Sequence, residues 1–213
     1  MTNKGCFITL EGIEGVGKTT NLEHIATYLE QHDISVNITR EPGGTELGEA
    51  IRDILLGHQH NGMCSASELL LMFAARAEHL DKIIRPAIER GTWVLCDRFT
   101  DATYAYQGGG RGLASDQIAI LEQLVQHGLQ PDLTILLDLP VETGLERAGQ
   151  RGAPDRFENE ASEFFEKVRN AYLERAKQDS QRFRVVDASR PLQEVQQDIS
   201  RILDELIAAV SSE

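Results

Sequence analysis

Apolar and polar positions along the chain alternate between two rhythms. Short apolar or β-branched runs recur at residues 6–10, 35–39, 92–96, 133–137 and 183–186, and runs of that length bounded by polar turns read as strands buried on both faces. Between them apolar positions follow a helical period, as with Leu22, Ile25, Ala26 and Leu29. The last run, residues 191–210, lines up Leu192, Val195, Ile199, Ile202, Leu203 and Leu206 on one stripe, with Pro191 at a helix start. Strands and helices in alternation predict an α/β fold with a five-stranded parallel sheet covered by helices on both faces. One stretch breaks the rhythm. Residues 148–159 set Gly149, Gly152 and Pro154 among Arg147, Arg151, Asp155, Arg156 and Glu158. That is too polar and interrupted for core, and predicts a small mobile lid over about 147–159. The chain shows no internal repeat, and 213 residues suit a single domain over 1–213.

Charge narrows the partners. With 34 acidic and 21 basic residues the formal net charge is −13, which argues against nucleic acid or an anionic membrane as a partner. Any phosphate site must therefore concentrate its basic residues locally. The longest apolar stretch, residues 69–75, is far too short to span a bilayer. Glu11 and Glu14 interrupt the first apolar run, so no targeting segment is expected. Cys6, Cys64 and Cys96 are odd in number and widely spaced, as expected of reduced thiols in a cytoplasmic protein.

The first strand-like run leads into Gly12-Ile13-Glu14-Gly15-Val16-Gly17-Lys18-Thr19, a G-x-x-x-x-G-K-T pattern that opens the first helical run. Strand, glycine loop and helix in this order predict a P-loop NTPase that binds a nucleoside triphosphate. Glycines let successive backbone N–H groups converge on a phosphate, and the helix N-terminus adds partial positive charge. Lys18, expected to be exposed, reaches the β- and γ-phosphates, and the Thr19 hydroxyl is placed to ligate Mg²⁺. After the third strand, Trp93-Val94-Leu95-Cys96-Asp97 ends an apolar run on a carboxylate. Asp97 would hold Mg²⁺ or its waters beside Thr19, and would orient the adjacent Arg98.

Three further clusters carry candidate chemistry. Thr39-Arg40-Glu41-Pro42-Gly43-Gly44-Thr45 follows the second strand, with Arg52 on the next helix; its charges bind a ligand or form a solvated ion pair. Met72-Phe73-Ala74-Ala75-Arg76 puts Phe73 and Arg76 three apart, on one helix face. Such a pair stacks on a base and bonds its edge, or is core with a snorkelling Arg. In Thr103-Tyr104-Ala105-Tyr106-Gln107-Gly108-Gly109-Gly110-Arg111-Gly112, Gln107 offers a donor and an acceptor to a base edge. The triple glycine is either a flexible loop or backbone that approaches a ligand. The single Asn-Lys pair, Asn3-Lys4, precedes the first strand, which counts against a guanine-reading switch.

Taken together, Thr39–Thr45, Asp97-Arg98-Phe99, the Ala105–Gly112 segment and Asp155-Arg156-Phe157 resemble the bacterial thymidylate kinases over essentially the whole chain. The resemblance implies transfer of a phosphoryl group from ATP, with Mg²⁺, to dTMP, giving dTDP for dTTP synthesis, by a homodimer. It implies that Arg76 and Gln107 read the thymine edge and that Phe73 stacks on the ring. Arg40, Arg52 and Arg98 would surround the acceptor phosphate, with Glu41 in the same loop and Thr103 and Tyr106 beside base and sugar. The family usually has its stacking aromatic four residues before the Arg, where this chain has Met72. The P-loop interior, Ile13-Glu14-Gly15-Val16, has no arginine. That resembles the subclass whose lid carries the catalytic basic groups, here Arg147, Arg151 and Arg156, with Glu14 on the acceptor side. Lys18, Arg98, Arg147, Arg151 and Glu14 are then the expected catalytic set. Arg147 and Arg151, four apart, would project together toward the triphosphate, whereas Arg156 is either a third such group or an ion pair with Asp155. Another acceptor, such as dUMP or CMP, is the competing reading.

Overall fold

Strands β1 (Phe7–Glu11), β2 (Val36–Arg40), β3 (Trp93–Asp97), β4 (Leu133–Asp138) and β5 (Phe183–Asp187) form one sheet in the order β2-β3-β1-β4-β5. All pairings are parallel. The computed structural model describes residues 5–60, 62–149, 156–158 and 160–211. Each strand predicted from the sequence is present, with its carboxyl end one residue further on. Ladder bonds belong to the backbone, so pairing runs past the last apolar residue into Glu11, Asp97, Asp138 and Asp187, as in the registers Leu10↔Asp97 and Asp138↔Asp187. Carboxylates therefore collect at the carboxyl edge of the sheet, where ligands of open α/β sheets bind.

The sheet is covered on both faces, as predicted. Ile8, Leu10 and Leu95 pack with Leu22, Ile25 and Leu29 of α1 (Lys18–Gln31). Phe7, Val94 and Cys96, on the opposite face, pack with Leu80, Ile84, Ala87 and Ile88. Those last four follow α3 (Ser65–His79), which runs through a π-helical turn, Leu80–Ile84, into α4 (Arg85–Glu89). Between β2 and α3 lies α2 (Glu46–Leu56), capped by the Thr45 hydroxyl, which accepts from the Gly48 amide at 3.0 Å. The final helix, α9 (Leu192–Ser211), buries Val195, Ile199 and Leu203 from the predicted stripe.

The segment after β3 departs from expectation. Helix α5 (Thr100–Thr103) continues as a π-helical stretch, Tyr104–Gly110, before α6 (Ser115–Gln126). The triple glycine is thus part of a helix, neither a flexible loop nor a ligand cradle. A Cβ on Gly109 would lie 2.7 Å from that of Ala171, and one on Gly110 would overlap the Phe164 ring. The glycines let this stretch press against α8 (Ser162–Gln178). Below it, the buried Asp101 accepts from Arg175 Nε at 2.5 Å and Arg182 Nη1 at 2.6 Å, tying α5 to α8 and to the residue before β5. Helix α7 (Val141–Ala148) leads toward the predicted lid; Arg151 and Asp155 lie outside the described residues.

Candidate active site

The predicted phosphate loop links β1 to α1 at the carboxyl edge of the sheet. Gly12, Gly15 and Gly17 take φ values of 139°, 74° and 91°, which disfavour a side chain. Gly15 also abuts the Gly144 carbonyl of α7 with no space for a Cβ, so the loop and α7 are in backbone contact. Lys18 corrects the expectation of an exposed lysine: it is 8% exposed, and Nζ donates to the carbonyls of Gly12 and Ile13, both at 3.1 Å. Burial, with Arg98 adding repulsion, lowers its pKa to about 8. Thr19 is exposed in the first turn of α1. Asp97 ends β3 with a buried Oδ1 that has no hydrogen-bond partner. A carboxylate acceptor without a donor, at the carboxyl edge of the sheet that also carries the phosphate loop, fits a hard cation. Among the described residues no three His, Cys, Asp or Glu side chains cluster for a metal; Mg²⁺ commonly needs one or two carboxylates plus substrate phosphates.

A cleft opens beside this loop, lined at one end by Glu14, Arg98 and Tyr106 and elsewhere by Arg52, Met72, Arg76, Thr103, Gln107 and Phe157. Glu14 Oε1 accepts from Arg98 Nη2 at 2.8 Å and from the Tyr106 hydroxyl at 2.7 Å. Arg98 Nη2 also donates to the Tyr106 hydroxyl at 3.0 Å, while its Nε is buried with no partner. Arg98 has φ 65°, a left-handed conformation that neighbours must hold in place. The Arg98 amide donates to the Leu10 carbonyl at 3.1 Å, the Cys96 thiol to the Arg98 carbonyl at 3.0 Å, and the Phe99 amide to Glu11 Oε1 at 2.7 Å. Glu11 is fully buried and also accepts from the Tyr172 hydroxyl at 2.7 Å. Burial, reinforced by the charge of Asp101, pushes its pKa up to about 8. Sequence reasoning missed the roles of Glu11 and Tyr172; the available signal was a carboxylate ending the first apolar run.

Arg76 is held in a buried network. Its Nε donates to Glu41 Oε2 at 2.7 Å and its Nη2 to Thr103 Oγ1 at 3.0 Å, while Nη1 has no partner. Glu41 Oε1 lies 2.9 Å from Nδ1 of the buried His79, whose Nε2 is 2.6 Å from Thr39 Oγ1. Glu41 therefore orients Arg76 from within the network. Gln107 is buried and donates through Nε2 to Glu68 Oε1 at 2.9 Å. Arg52 donates to the Pro42 carbonyl at 2.8 Å.

Two expectations are corrected. Phe73 packs in the core with Leu69 and Ile118, with the Arg76 guanidinium carbon 4.7 Å from its ring centroid, and Met72 lines the cleft instead. Residues four apart on a helix share a face, so Met72 and Arg76 point together and Phe73 turns away by about 100°. Arg40 is half-exposed and paired with Glu49 at 2.8 Å, outside the cleft lining, because its edge strand points it to solvent.

At the start of the predicted lid, Arg147 of α7 is exposed and donates to the Ala188 carbonyl at 3.2 Å, past the end of β5. Arg156 meets Glu68 and α2 among the described residues. It is buried, pairs with Glu68 at 2.6 Å and donates to the Leu55 carbonyl at 2.7 Å. Neither Glu68 nor His79 was singled out in the sequence. Glu68, Met72 and Arg76 do recur every fourth residue, which was the signal for one shared face.

A P-loop at the edge of a parallel sheet, joined through Glu14 to an arginine-lined cleft for a second anion, defines a P-loop phosphotransferase that acts on a small phosphorylated acceptor. Within that class the chain belongs to the thymidylate kinase family, whose sequence model matches residues 10–199. It is 57% identical over 203 residues to the thymidylate kinase of Pseudomonas putida strain GB-1, covering 95% of this chain and 97% of that one. With the thymidylate kinase of Ectopseudomonas mendocina strain ymp it shares 58% over 205 residues, 96% and 98% of the two chains. The crystal structure of thymidylate kinase from Ehrlichia chaffeensis superposes with a TM-score of 0.76 at 35% identity, covering 94% of this chain and 99% of that one.

Proposed function

We propose that this protein transfers the γ-phosphoryl group of ATP to dTMP, giving dTDP, with the P-loop holding the donor and the adjoining cleft the acceptor. The carrying observation is the buried Arg76 Nη1, a donor without a partner in a cleft that also contains Gln107, Thr103 and Arg98. A pyrimidine carbonyl oxygen satisfies it. Met72 offers an apolar surface to the ring, and Arg98 and Arg52 meet the acceptor phosphate. That phosphate is already anionic, its second pKa being about 6, so no general base is required. What remains is to position two polyanions and offset the charge that shifts as the phosphoryl group moves. Thr19 and Asp97 would hold Mg²⁺, which supplies charge stabilisation at the β- and γ-phosphates when bound. Lys18 moves from the Gly12 and Ile13 carbonyls to those phosphates.

A coupled ADP-release assay across a panel of nucleoside monophosphates tests the reading. Rapid turnover with dTMP and weaker turnover with dUMP is expected, because one methyl group in an apolar pocket is worth only about 1–3 kcal/mol. Hydrolysis of GTP with no response to any acceptor would overturn it. Arg76→Ala is expected to raise the dTMP KM about 10- to 100-fold with the ATP KM unchanged, since it removes a charged donor to the base. It should also lower thermal stability, because Glu41 and Thr103 lose a buried donor. A raised ATP KM with an unchanged dTMP KM would reverse the assignment of the two sites.

Residues 147–159 act as a lid over the triphosphate, and Arg147 and Arg151 supply the charge that the P-loop lacks. Arg147 must leave the Ala188 carbonyl to do so, which makes its contribution one of the closed, reacting state. Steady-state kinetics of Arg147→Ala and Arg151→Ala should show kcat falling far more than either KM rises. Unchanged kcat in both would make the lid a passive cover. The protein works as a cytoplasmic homodimer: adjacent helices α3 and α6 expose Leu70, Ile120 and Leu124, which a second copy would cover. Among the described residues no helix is long and apolar enough to cross a membrane.

A further inference from the structure

We propose that Glu68 is a specificity-determining positioning residue: by holding the Gln107 carboxamide in one orientation, it makes the acceptor pocket take a thymine edge and refuse a cytosine edge. The inference rests on the dTMP reading above. Glu68 lies in the first turn of α3, 1% exposed, and does not line the cleft. Its Oε1 accepts from Gln107 Nε2 at 2.9 Å and from Arg111 Nε at 3.3 Å, and its Oε2 accepts from Arg156 Nη2 at 2.6 Å. A carboxylate between two guanidiniums only accepts. Gln107 must therefore turn its amide nitrogen toward Glu68, and inversion would set its carbonyl oxygen against a carboxylate in a buried site.

The consequence falls on the base. With the nitrogen committed to Glu68, Gln107 presents its carbonyl oxygen to the cleft that the free donor of Arg76 also lines. One acceptor next to one donor complements the N3–H and O4 of thymine. Cytosine carries the reverse pattern, a lone pair at N3 and an amino group at C4, and would meet like polarity at both places. Uracil shares the thymine edge, so Glu68 leaves dUMP discrimination to whatever meets the C5 methyl group. The two arginines have a second task, since Arg156 also ties the lid to the Leu55 carbonyl of α2 and Arg111 reaches Glu160 at 2.6 Å. A purely structural Glu68 would serve only these.

Glu68→Gln separates the two roles, because a glutamine there donates as readily as it accepts and lets Gln107 invert with it. The measurement is kcat/KM for dTMP, dUMP and dCMP in the wild type, Glu68→Gln and Arg156→Lys. The dTMP/dCMP ratio should fall by about tenfold or more in Glu68→Gln, with the dTMP/dUMP ratio unchanged. Arg156→Lys, which loosens the lid tie and leaves the Gln107 contact, should lower all acceptors in proportion. Proportional loss in Glu68→Gln, with the base ratios intact, overturns the proposal and leaves Glu68 a structural tie. Should Glu68→Gln fail to fold, Glu68→Gln with Arg111→Gln removes one guanidinium along with the carboxylate and carries the same test. A wild type inert toward dTMP would overturn the underlying function, which an active variant with unchanged ratios would not.

Discussion

Replacing Lys18 with alanine is expected to reduce phosphoryl transfer by about 10³-fold or more, since it strips a positive charge from the phosphates between which the group moves. The fold should survive: Lys18→Met, which keeps most of the volume, is expected to shift Tm by no more than about 5 °C. Retention of more than about a tenth of wild-type turnover in Lys18→Ala would remove the basis of the P-loop assignment. The low pKa adds a pH dependence. Lys18 in the free enzyme loses its proton near pH 8 because burial disfavours the ammonium. Below that pH the charge is present and ATP is attracted; above it the charge, and with it kcat/KM for ATP, declines. Bound triphosphate restores the ammonium, so kcat should hold to higher pH than kcat/KM does. The stability linkage runs the other way. The folded pKa lies below the ordinary lysine value of 10.5, so the unfolded chain binds more protons between the two values. The Lys18 contribution to stability therefore rises as pH rises from about 8. Coinciding pH profiles for kcat and kcat/KM would show that the lysine does not change its charge on binding ATP.

Arg98→Ala should be nearly as damaging, with kcat/KM for dTMP down by about 10³-fold. Arg98 is the guanidinium closest in sequence to the Asp97 carboxylate, and it joins Glu14 of the P-loop to Tyr106 of the acceptor cleft. Its buried Nε has no partner within the protein, so the proposed reaction gives that donor an anion to bind. Alanine removes that donor and leaves Glu14 and Tyr106 facing each other without a cation. Arg98→Lys should recover little, because a single ammonium cannot meet Glu14, Tyr106 and a phosphate in one plane. Steady-state kinetics settle the matter: a loss below about tenfold in Arg98→Ala would place the transferring group elsewhere, and full rescue by lysine would mean that charge alone suffices.

The frame of this protein is written in local patterns of its chain. Strand positions, helix faces and the phosphate loop are local patterns: a period of two or 3.6, or glycines and a lysine at fixed spacing, fixes backbone geometry within one or two turns of chain. The carboxylate ending the third apolar run was legible for the same reason, since Asp97 directly follows its strand. Tertiary structure alone decided which side chains share the cleft and what each one touches. Arg156 finds Glu68 88 positions away, and Tyr172 finds Glu11 across 161; no local pattern encodes a pairing at that distance. Lys18 is buried because two carbonyls of its own loop face it, which the motif does not record. Met72 takes the cleft and Phe73 the core because one residue is a rotation of about 100° on a helix, and only the packing of α3 against α6 decides which of two adjacent apolar side chains points inward.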